Sequence, residues 1–137
     1  SKNYMAGKKL VVSDLLWGKL GMSICYDLRF PNLYRKLTKK GAQFFSIPAA
    51  FTFTTGKAHW HSLIRARAIE NGCFVFAPAQ CGVHDNGRRT YGHSMIVNPW
   101  GKILVEAKKN KKQIISTIIN IDEIGHSRKK IPSMTQF

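Results

Sequence analysis

The sequence predicts an α/β protein in which a mixed sheet is packed with helices. The chain of 137 residues has the size of one ordinary domain, and 44% of it is apolar, which is enough to form a core. Short apolar runs alternate with helical patterns at first, and further strand-like runs then follow one another. Because this order of elements is typical of a sheet covered by helices, we expect one structural unit over residues 1–137.

The first part of the chain predicts three strands with two helices between them. Proline is favoured in the first turn of a helix, and a glycine after basic residues is typical of a helix end, as in Lys39-Lys40-Gly41. The predicted elements are a strand at 19–25, a helix that Pro31 opens and Gly41 closes, a strand at 43–48, an amphipathic helix at 57–71 and a strand at 73–79.

The second part of the chain predicts consecutive strands joined by polar turns. Residues 82–90, which include Asn86-Gly87, are expected to form a polar loop or a hairpin tip. Residues 98–101 predict a tight turn. The predicted strands lie at 91–97, 103–107 and 114–121. Residues 124–137 have no apolar periodicity and therefore predict an irregular basic tail.

The chain is strongly basic, with 22 Lys and Arg against seven Asp and Glu and a formal net charge of +15. The basic residues are scattered over predicted turns and helix ends, without a zinc-finger, helix-turn-helix or RNA-binding aromatic pattern. We therefore expect a solvated basic surface, with nucleic-acid binding as a weaker alternative. An acidic partner, or an acidic part of the same protein that is missing here, would also balance the charge.

The three cysteines, at positions 25, 73 and 81, indicate a reducing compartment. Their odd number and wide spacing argue against a disulfide framework. No apolar run approaches the roughly 20 residues that are needed to cross a bilayer. The first ten residues are polar and basic, and no apolar region of a secretory signal follows them. The sequence thus predicts a soluble, cytoplasmic protein with no membrane association.

Cys25 is the strongest candidate for a catalytic residue. It ends a predicted buried strand, shortly before the helix that Pro31 opens. A nucleophile on such a strand-to-helix turn can reach a substrate, and the backbone N–H of the next residue, Tyr26, can bind an oxyanion. The nearby helix N-terminus favours negative charge on the sulfur. The position alone leaves a second interpretation open, in which Cys25 is a small buried hydrophobic residue.

Several segments of the chain occur together and in an order that is typical of one enzyme family. They are Gly21–Pro31, Ala58–Trp60, Arg65–Asn71, Tyr91–Met95 and Asn98–Gly101. Together these segments closely resemble the nitrilase superfamily of carbon–nitrogen hydrolases, particularly its Nit-type, omega-amidase branch. The resemblance covers nearly the whole chain, roughly from Gly7 to Ile131.

The resemblance implies a fold, a reaction and a set of site residues. Members of the family have an α-β-β-α sandwich fold and associate as dimers or larger homo-oligomers. They hydrolyse amides or nitriles of small carboxylic acids without a metal or an organic cofactor. Cys25 matches their nucleophile, which forms a thioester with the substrate, and the backbone N–H of Tyr26 matches an oxyanion donor. Positions that match Phe51 and Thr55 line the substrate pocket in the omega-amidase branch.

The family's base glutamate and its oxyanion-binding lysine lie further upstream of the nucleophile than this sequence extends. Asp14 is the only acid before Cys25 and matches no catalytic position, and Lys19 lies on the incoming strand. The chain therefore resembles the C-terminal half of a nitrilase-type enzyme, and a missing N-terminal half or a complementary chain would supply the base. We expect little or no amidase activity from the chain alone. A non-catalytic remnant that acts as a binding or structural module is the alternative.

Four charged residues near the predicted site are expected to have structural roles. Arg67 and Glu70 lie three residues apart on one helix face, a spacing that suits an ion pair. Asp27 and Arg29 directly follow the nucleophile, and we expect them to hold the turn rather than to transfer protons. Direct participation in the site is the less favoured interpretation for all four.

A cysteine–histidine mechanism is the alternative chemistry, because imidazole commonly activates a thiol. The histidines that could take part are His59, His61, His84, His93 and His126. None has a recognisable protease signature around Cys25. No zinc site is predicted, because Cys73 and Cys81 lack the short spacing of zinc ligands. We expect Cys73 to pack as a hydrophobic residue and Cys81 to lie near the rim of the pocket.

Overall fold

The computed structural model describes residues 5, 7–108 and 111–135. These residues form a six-stranded sheet and a separate two-stranded hairpin. The strands are β1 Val11–Leu15, β2 Gly18–Met22, β3 Phe44–Ser46, β4 Phe74–Ala77, β5 Cys81–Val83, β6 Arg89–Tyr91, β7 Met95–Val97 and β8 Ile103–Glu106. The six-stranded sheet has the order β1-β2-β3-β4-β7-β8, and β5 pairs with β6 in the hairpin.

The sheet is parallel at its centre and antiparallel at both edges. Strands β2, β3 and β4 run parallel, with Leu20 beside Phe44 and Phe44 beside Phe74. Strand β1 is antiparallel to β2, β7 is antiparallel to β4, and β8 is antiparallel to β7. Parallel neighbours need a crossover connection, and helices provide it here. The predicted mixed sheet packed with helices is therefore confirmed.

Helices connect the parallel strands, and a further helix lies near the end of the chain. They are α1 Pro31–Lys39, α2 Phe53–Thr55, α3 His61–Asn71 and α4 Asp122–Lys130. A 3-10 helix at Cys25–Arg29 leads into α1, and a π-helical segment at Gly56–Trp60 joins α2 to α3. The predicted start of α1 at Pro31 is confirmed. The predicted end of α3 at Asn71 is confirmed as well, since Gly72 follows with a left-handed φ of 56°.

The main core lies between one face of the sheet and the helices α1 and α3. Its fully buried members include Tyr34 and Leu37 of α1, Ile64 and Ala68 of α3, and Phe45, Val75 and Val97 of the sheet. Successive strand residues point to opposite faces, so Phe44 lies on the other side from Phe45. There it stacks on Phe74, with ring centroids 5.7 Å apart, and Ile124 of α4 joins this second, smaller cluster.

Three features of the strands differ from the prediction. The predicted strand at 91–97 is interrupted, because β6 ends at Tyr91, Gly92 and His93 have positive φ, and β7 begins at Met95. Residues 114–121 form no strand in the described part of the chain, and Ile114 and Ile118 are 98% and 97% exposed. A run of β-branched residues favours extended backbone, but a strand also needs a neighbour that shares its hydrogen bonds. Conversely, the sequence does not predict β1, which pairs along its whole length with β2.

The predicted irregular tail at 124–137 is also wrong over most of its described length, because Asp122–Lys130 is the helix α4. Asp122 and Glu123 lie in its first turn and Arg128–Lys130 in its last, so the charges complement the helix dipole. Its apolar residues are too few to show periodicity, and Ile124 is the buried one. The helical region before Asn71 also begins earlier than predicted, at Phe53 instead of residue 57. Residues 136 and 137 of the predicted tail lie outside the described residues.

Stability is expected to fall at high pH because of Tyr34. Burial raises the pKa of this phenol from 10.0 to about 12, although a hydrogen bond between its hydroxyl and Ser23 Oγ opposes the shift. The stabilisation by the neutral phenol is complete below the unfolded-state pKa and is lost as pH rises through the folded-state pKa. We therefore expect a loss of about 2 kcal/mol of unfolding free energy by about pH 12.

The variant Tyr34→Phe isolates this effect. The unfolding free energies of both proteins are measured by urea unfolding from about pH 9 to 12. Lysine titration affects both proteins equally, so the difference between the two free energies reports on the phenol. The advantage of wild type over the variant should shrink with rising pH. A difference that stays constant over this range would contradict the prediction.

Candidate active site

Cys25 lies on a sharp turn directly after the parallel strand β2. Its φ is 46°, a left-handed conformation that side-chain-bearing residues rarely adopt. The fold holds this conformation through hydrogen bonds on both sides. The N–H of Cys25 donates to the carbonyl of Pro48 over 2.8 Å, and the N–H of Ser23 donates to the carbonyl of Ser46 over 3.1 Å. Strained residues of this kind cluster at functional sites, where the surrounding structure maintains them.

Asp27 closes the turn by a reciprocal pair of hydrogen bonds with Ile24. The N–H of Ile24 donates to Asp27 Oδ2 over 2.9 Å, and the N–H of Asp27 donates to the carbonyl of Ile24 over 3.0 Å. The N–H of Tyr26 takes part neither in these two bonds nor in the bond between Cys25 and Pro48. The Tyr26 side chain is 65% exposed, with Arg29 over its ring at 5.6 Å. Asp27 is thus bonded to the residue that precedes Cys25.

A cavity of about 480 Å³ lies beside Cys25, whose side chain is half-buried. Its walls are formed mainly by apolar residues from three loops, among them Ile24, Pro48, Ala49 and Pro78, with Gln80 and Ser94 as polar members. The volume falls in the range of small-ligand sites. The sulfur is therefore next to open space, which favours the interpretation of Cys25 as a nucleophile over that of a core residue.

The topology of the sheet explains why these residues meet. Cys25 follows β2, Pro48 follows β3 and Pro78 follows β4, and these three strands are parallel. The carboxyl ends of parallel strands share one edge of a sheet, which is the usual location of ligand sites in α/β proteins. Ser94 precedes β7, which is antiparallel to β4, so it reaches the same edge. A proline shortly after a predicted strand, as Pro48 after β3 and Pro78 after β4, is the sequence signal by which these lining residues could have been found.

Arg67 joins helix α3 to the turn that carries Cys25. Its Nε and Nη2 donate to the carbonyl of Leu28 over 3.1 and 2.8 Å, and its Nη1 donates to Glu70 Oε1 over 2.9 Å. Arg67 is only 5% exposed, and Leu28 is fully buried. The predicted ion pair with Glu70 is thus present, and both residues support the 3-10 helix rather than line the cavity.

Phe51 and Thr55 are not among the residues that line the cavity of Cys25. Phe51 is buried, with its ring 5.1 Å from that of Trp60 and with the Arg29 guanidinium 5.2 Å from its own centroid. The Thr55 hydroxyl is bonded to the hydroxyl of Thr52 over 2.8 Å. The resemblance linked both residues to the substrate, but in the described structure they contact neighbours outside this cavity.

The other two cysteines differ sharply in environment. Cys73 is fully buried, and burial raises the pKa of its thiol although Arg128 lies 3.2 Å from the sulfur. Its predicted packing as a hydrophobic residue is confirmed. Cys81 is half-buried and lines a second cavity that adjoins the first, in agreement with its predicted place near the pocket rim.

All five histidines lie in the described part of the chain, and none lines the cavity of Cys25. Four of them have other partners: His59 contacts Arg29, His61 contacts Glu106, His84 contacts Thr90, and His93 contacts the carbonyl of Tyr91. The geometry therefore gives no support to a cysteine–histidine mechanism. Within the described residues, no group of three or more His, Cys, Asp and Glu side chains is arranged to hold a metal ion.

The strained turn and the cavity lie within sequence segments that resemble those of carbon–nitrogen hydrolases. The chain belongs to this family, because the model of the carbon-nitrogen hydrolase family matches residues 1–129. It is 49% identical to the deaminated glutathione amidase of Synechocystis over 136 residues, which are 98% of this chain and 50% of that protein. The resemblance to the nitrilase superfamily is thereby confirmed.

Solved structures agree with this assignment. The NitFhit protein of C. elegans has a TM-score of 0.88 and 42% identity, over 97% of this chain and 32% of that one. An amidase variant from Nesterenkonia sp. has a TM-score of 0.68 and 30% identity, over 76% of this chain and 41% of that one. That structure shows the Michael addition of acrylamide at its active site cysteine. The chain spans about half the length of the curated relatives it matches. In the described residues, no helix is long and apolar enough to cross a membrane.

Proposed function

We propose that the chain carries the nucleophile of an amidase, and that this nucleophile is Cys25. The observation that carries the proposal is the strained turn of Cys25, which opens on a cavity at the carboxyl ends of β2, β3 and β4. A strained backbone with its own supporting bonds is expected where a reactive group has to be presented in one orientation. Cys73 lacks this exposure, and Cys81 lies on a regular strand.

The proposed reaction passes through a thioester. The thiolate of Cys25 attacks the carbonyl carbon of the amide, and the carbonyl oxygen becomes an oxyanion that accepts a hydrogen bond from the N–H of Tyr26. When the intermediate collapses, the C–N bond breaks and the nitrogen takes up a proton and leaves as ammonia or an amine. Water then adds to the thioester, the C–S bond breaks, and the acid and the thiol are released. A nitrile would first form a thioimidate by attack of the sulfur on its carbon. Addition of one water to that carbon would then give the same tetrahedral intermediate, from which ammonia leaves.

Two parts of this machinery are proposed to come from residues outside the chain. The resemblance assigns the general base to a glutamate and a second oxyanion donor to a lysine, both upstream of the matched region. The chain alone should therefore have little or no amidase activity, because a catalytic set with one member removed loses most of its effect. The rest of the enzyme, as an N-terminal half or a complementary chain, is the proposed partner, and the whole enzyme is proposed to form a homo-oligomer.

The proposed substrates are amides of small carboxylic acids. The Synechocystis relative is named for its action on deaminated glutathione, which makes this compound the first to test. Phe51 and Thr55 are proposed to shape the substrate site from behind the cavity wall. Both follow Ala50, which lines the cavity, and the Arg29 guanidinium lies over the Phe51 ring.

The nucleophile can be tested on the chain alone with acrylamide, a neutral reagent that adds to thiols. We expect Cys25 to be labelled about tenfold faster than Cys81, and Cys73 to be labelled slowest because it is buried. Peptide mass spectrometry over a time course gives the three rates. The variant Cys81→Ser is the matched control and should leave the rate at Cys25 unchanged. Equal rates at Cys25 and Cys81 would contradict the proposed role of Cys25.

A further inference from the structure

The sequence contains two Asn-Gly pairs, Asn71-Gly72 and Asn86-Gly87. An asparagine before a glycine is prone to lose its side-chain amide, because the glycine has no Cβ that would obstruct attack by its backbone nitrogen. The attack also requires the backbone of the pair to move, so the fold decides whether the reaction takes place. The two pairs lie in very different surroundings.

The pair at Asn71 is held rigidly at the end of α3. Asn71 is fully buried, and its Nδ2 donates to the carbonyl of Arg67 over 3.0 Å. Its backbone carbonyl accepts a bond from Arg128 Nε over 3.2 Å. The N–H of Gly72 donates to the carbonyl of Ile69, and a Cβ at Gly72 would lie 2.7 Å from Arg128 Cγ. Attack at this pair therefore requires the end of α3 to unfold.

The pair at Asn86 is exposed at the tip of the β5–β6 hairpin. Residues 85–87 form a short loop, in which the N–H of His84 donates to the carbonyl of Arg88 over 2.9 Å and the N–H of Gly87 donates to the carbonyl of His84 over 2.8 Å. Gly87 has a left-handed φ of 78°, as is common in hairpin loops of this length. Apart from its chain neighbours, no atom in the described part of the chain lies within 4 Å of the place that a Cβ of Gly87 would take. Opening of this loop therefore breaks few contacts.

We propose that Asn86 is a site of spontaneous deamidation, at which the folded chain exchanges a neutral amide for a carboxylate. Exposed loop tips open at a much lower free energy than buried helix ends. Opening breaks the bond between Gly87 and His84 and so releases the Gly87 nitrogen for attack. Asn86 Oδ1 accepts a bond from the N–H of Arg88 over 3.0 Å, so the side chain of Asn86 is already folded back along the chain past Gly87.

The reaction needs water as its only co-reactant. The backbone nitrogen of Gly87 gives up its proton to the solvent and forms a bond to the side-chain carbon Cγ of Asn86. The C–N bond of the side-chain amide breaks, and its nitrogen takes up a proton and leaves as ammonia, so that a cyclic imide remains. Water then opens the imide at one of its two carbonyl carbons. Opening at Cγ gives aspartate, and opening at the backbone carbonyl carbon gives isoaspartate.

The products change the hairpin close to the candidate active site. Either product adds a negative charge next to Asp85, and isoaspartate also lengthens the main chain of the loop by one carbon atom. The loop is tied to the cavity of Cys25, because Arg88 Nη2 donates over 3.0 Å to the carbonyl of Ala50, which lines this cavity. Deamidation thus alters the backbone that carries Arg88, one hydrogen bond away from the cavity wall.

The two pairs provide an internal comparison within the same chain. The chain is incubated in mildly alkaline buffer, and both pairs are followed by peptide mass spectrometry. We expect Asn86 to convert at least about tenfold faster than Asn71 in the folded chain. In concentrated urea the two pairs should convert at similar rates, since the fold no longer protects Asn71. Similar rates in the folded chain, or no conversion at Asn86, would overturn the inference.

Two variants test the cyclic imide. Gly87→Ala places a Cβ on the attacking residue and should slow the conversion of Asn86 about tenfold. This Cβ meets open space, so the fold should be retained, as circular dichroism would verify. Asn86→Asp supplies the aspartate product as a chromatographic standard, from which the isoaspartate peptide of the wild-type chain should elute separately. Conversion to aspartate alone, or a rate that Gly87→Ala does not change, would show direct hydrolysis of the amide and would contradict the proposed reaction.

Discussion

Amide hydrolysis is expected when the chain is joined to the part of the enzyme that is proposed to carry the base glutamate and the lysine. The variant Cys25→Ala should abolish this activity. The chain corresponds to about half of the Synechocystis deaminated glutathione amidase, so the unmatched half of that protein can be fused ahead of Ser1. With a base and a second oxyanion donor restored, the sulfur of Cys25 can form and release a thioester. Loss of the sulfur should reduce kcat by at least about four orders of magnitude, because alanine at position 25 cannot form this intermediate.

The assay follows release of the acid from deaminated glutathione or from a small dicarboxylate monoamide. Cys81→Ala is the matched control: it removes a half-buried thiol outside the Cys25 cavity and should leave kcat within a few-fold of the fusion protein. The chain without the fused half should show no turnover above background. Activity that survives Cys25→Ala but is lost in Cys81→Ala would refute the assignment of the nucleophile. Turnover by the unfused chain at the rate of the fusion protein would refute the need for the upstream residues.

The elements that could be predicted from the sequence are those whose signals are local. Pro31 marks the start of α1, Gly72 follows the end of α3, and short apolar runs mark β2, β3 and β4. The position of Cys25 between β2 and α1 follows from the same signals, which is why the turn could be predicted before its φ of 46° was known. The sequence predicts the hairpin only in part: residues 82–90 are expected to form a polar loop or a hairpin tip, and they include most of the paired strands β5 and β6.

The features that escaped prediction depend on partners distant in the chain. Residues 114–121 have the composition of a strand, but a strand exists only where a neighbour completes its hydrogen bonds. The helix α4 is specified by charges at its two ends and by the contact of Ile124 with Phe44 and Phe74, not by an apolar stripe. The cavity is built from the loops after β2, β3 and β4 and from Ser94 before β7, which only the pairing of these strands brings together.

Arg67→Met is expected to destabilise the chain by about 2–4 kcal/mol and to loosen the turn that carries Cys25. The substitution keeps the apolar stem but removes both bonds to the carbonyl of Leu28, which is fully buried and would be left without these donors. It also leaves Glu70 without its ion-pair partner. The left-handed conformation of Cys25 persists because the surrounding structure holds it. Loss of the Arg67 bonds should therefore also lower the reactivity of the Cys25 sulfur.

Urea unfolding measures the first effect, and the acrylamide rates at Cys25 and Cys81 measure the second. Arg65→Met, two residues earlier on α3, is the matched control. It removes a bond from Nε to the carbonyl of Gly101 at an exposed residue and should cost less than about 1 kcal/mol. In Arg67→Met, the preference of acrylamide for Cys25 should fall towards equality with Cys81. If stability falls but the preference is unchanged, Arg67 supports only the core, and the turn is held by its other hydrogen bonds, to Ser46, Pro48 and Asp27.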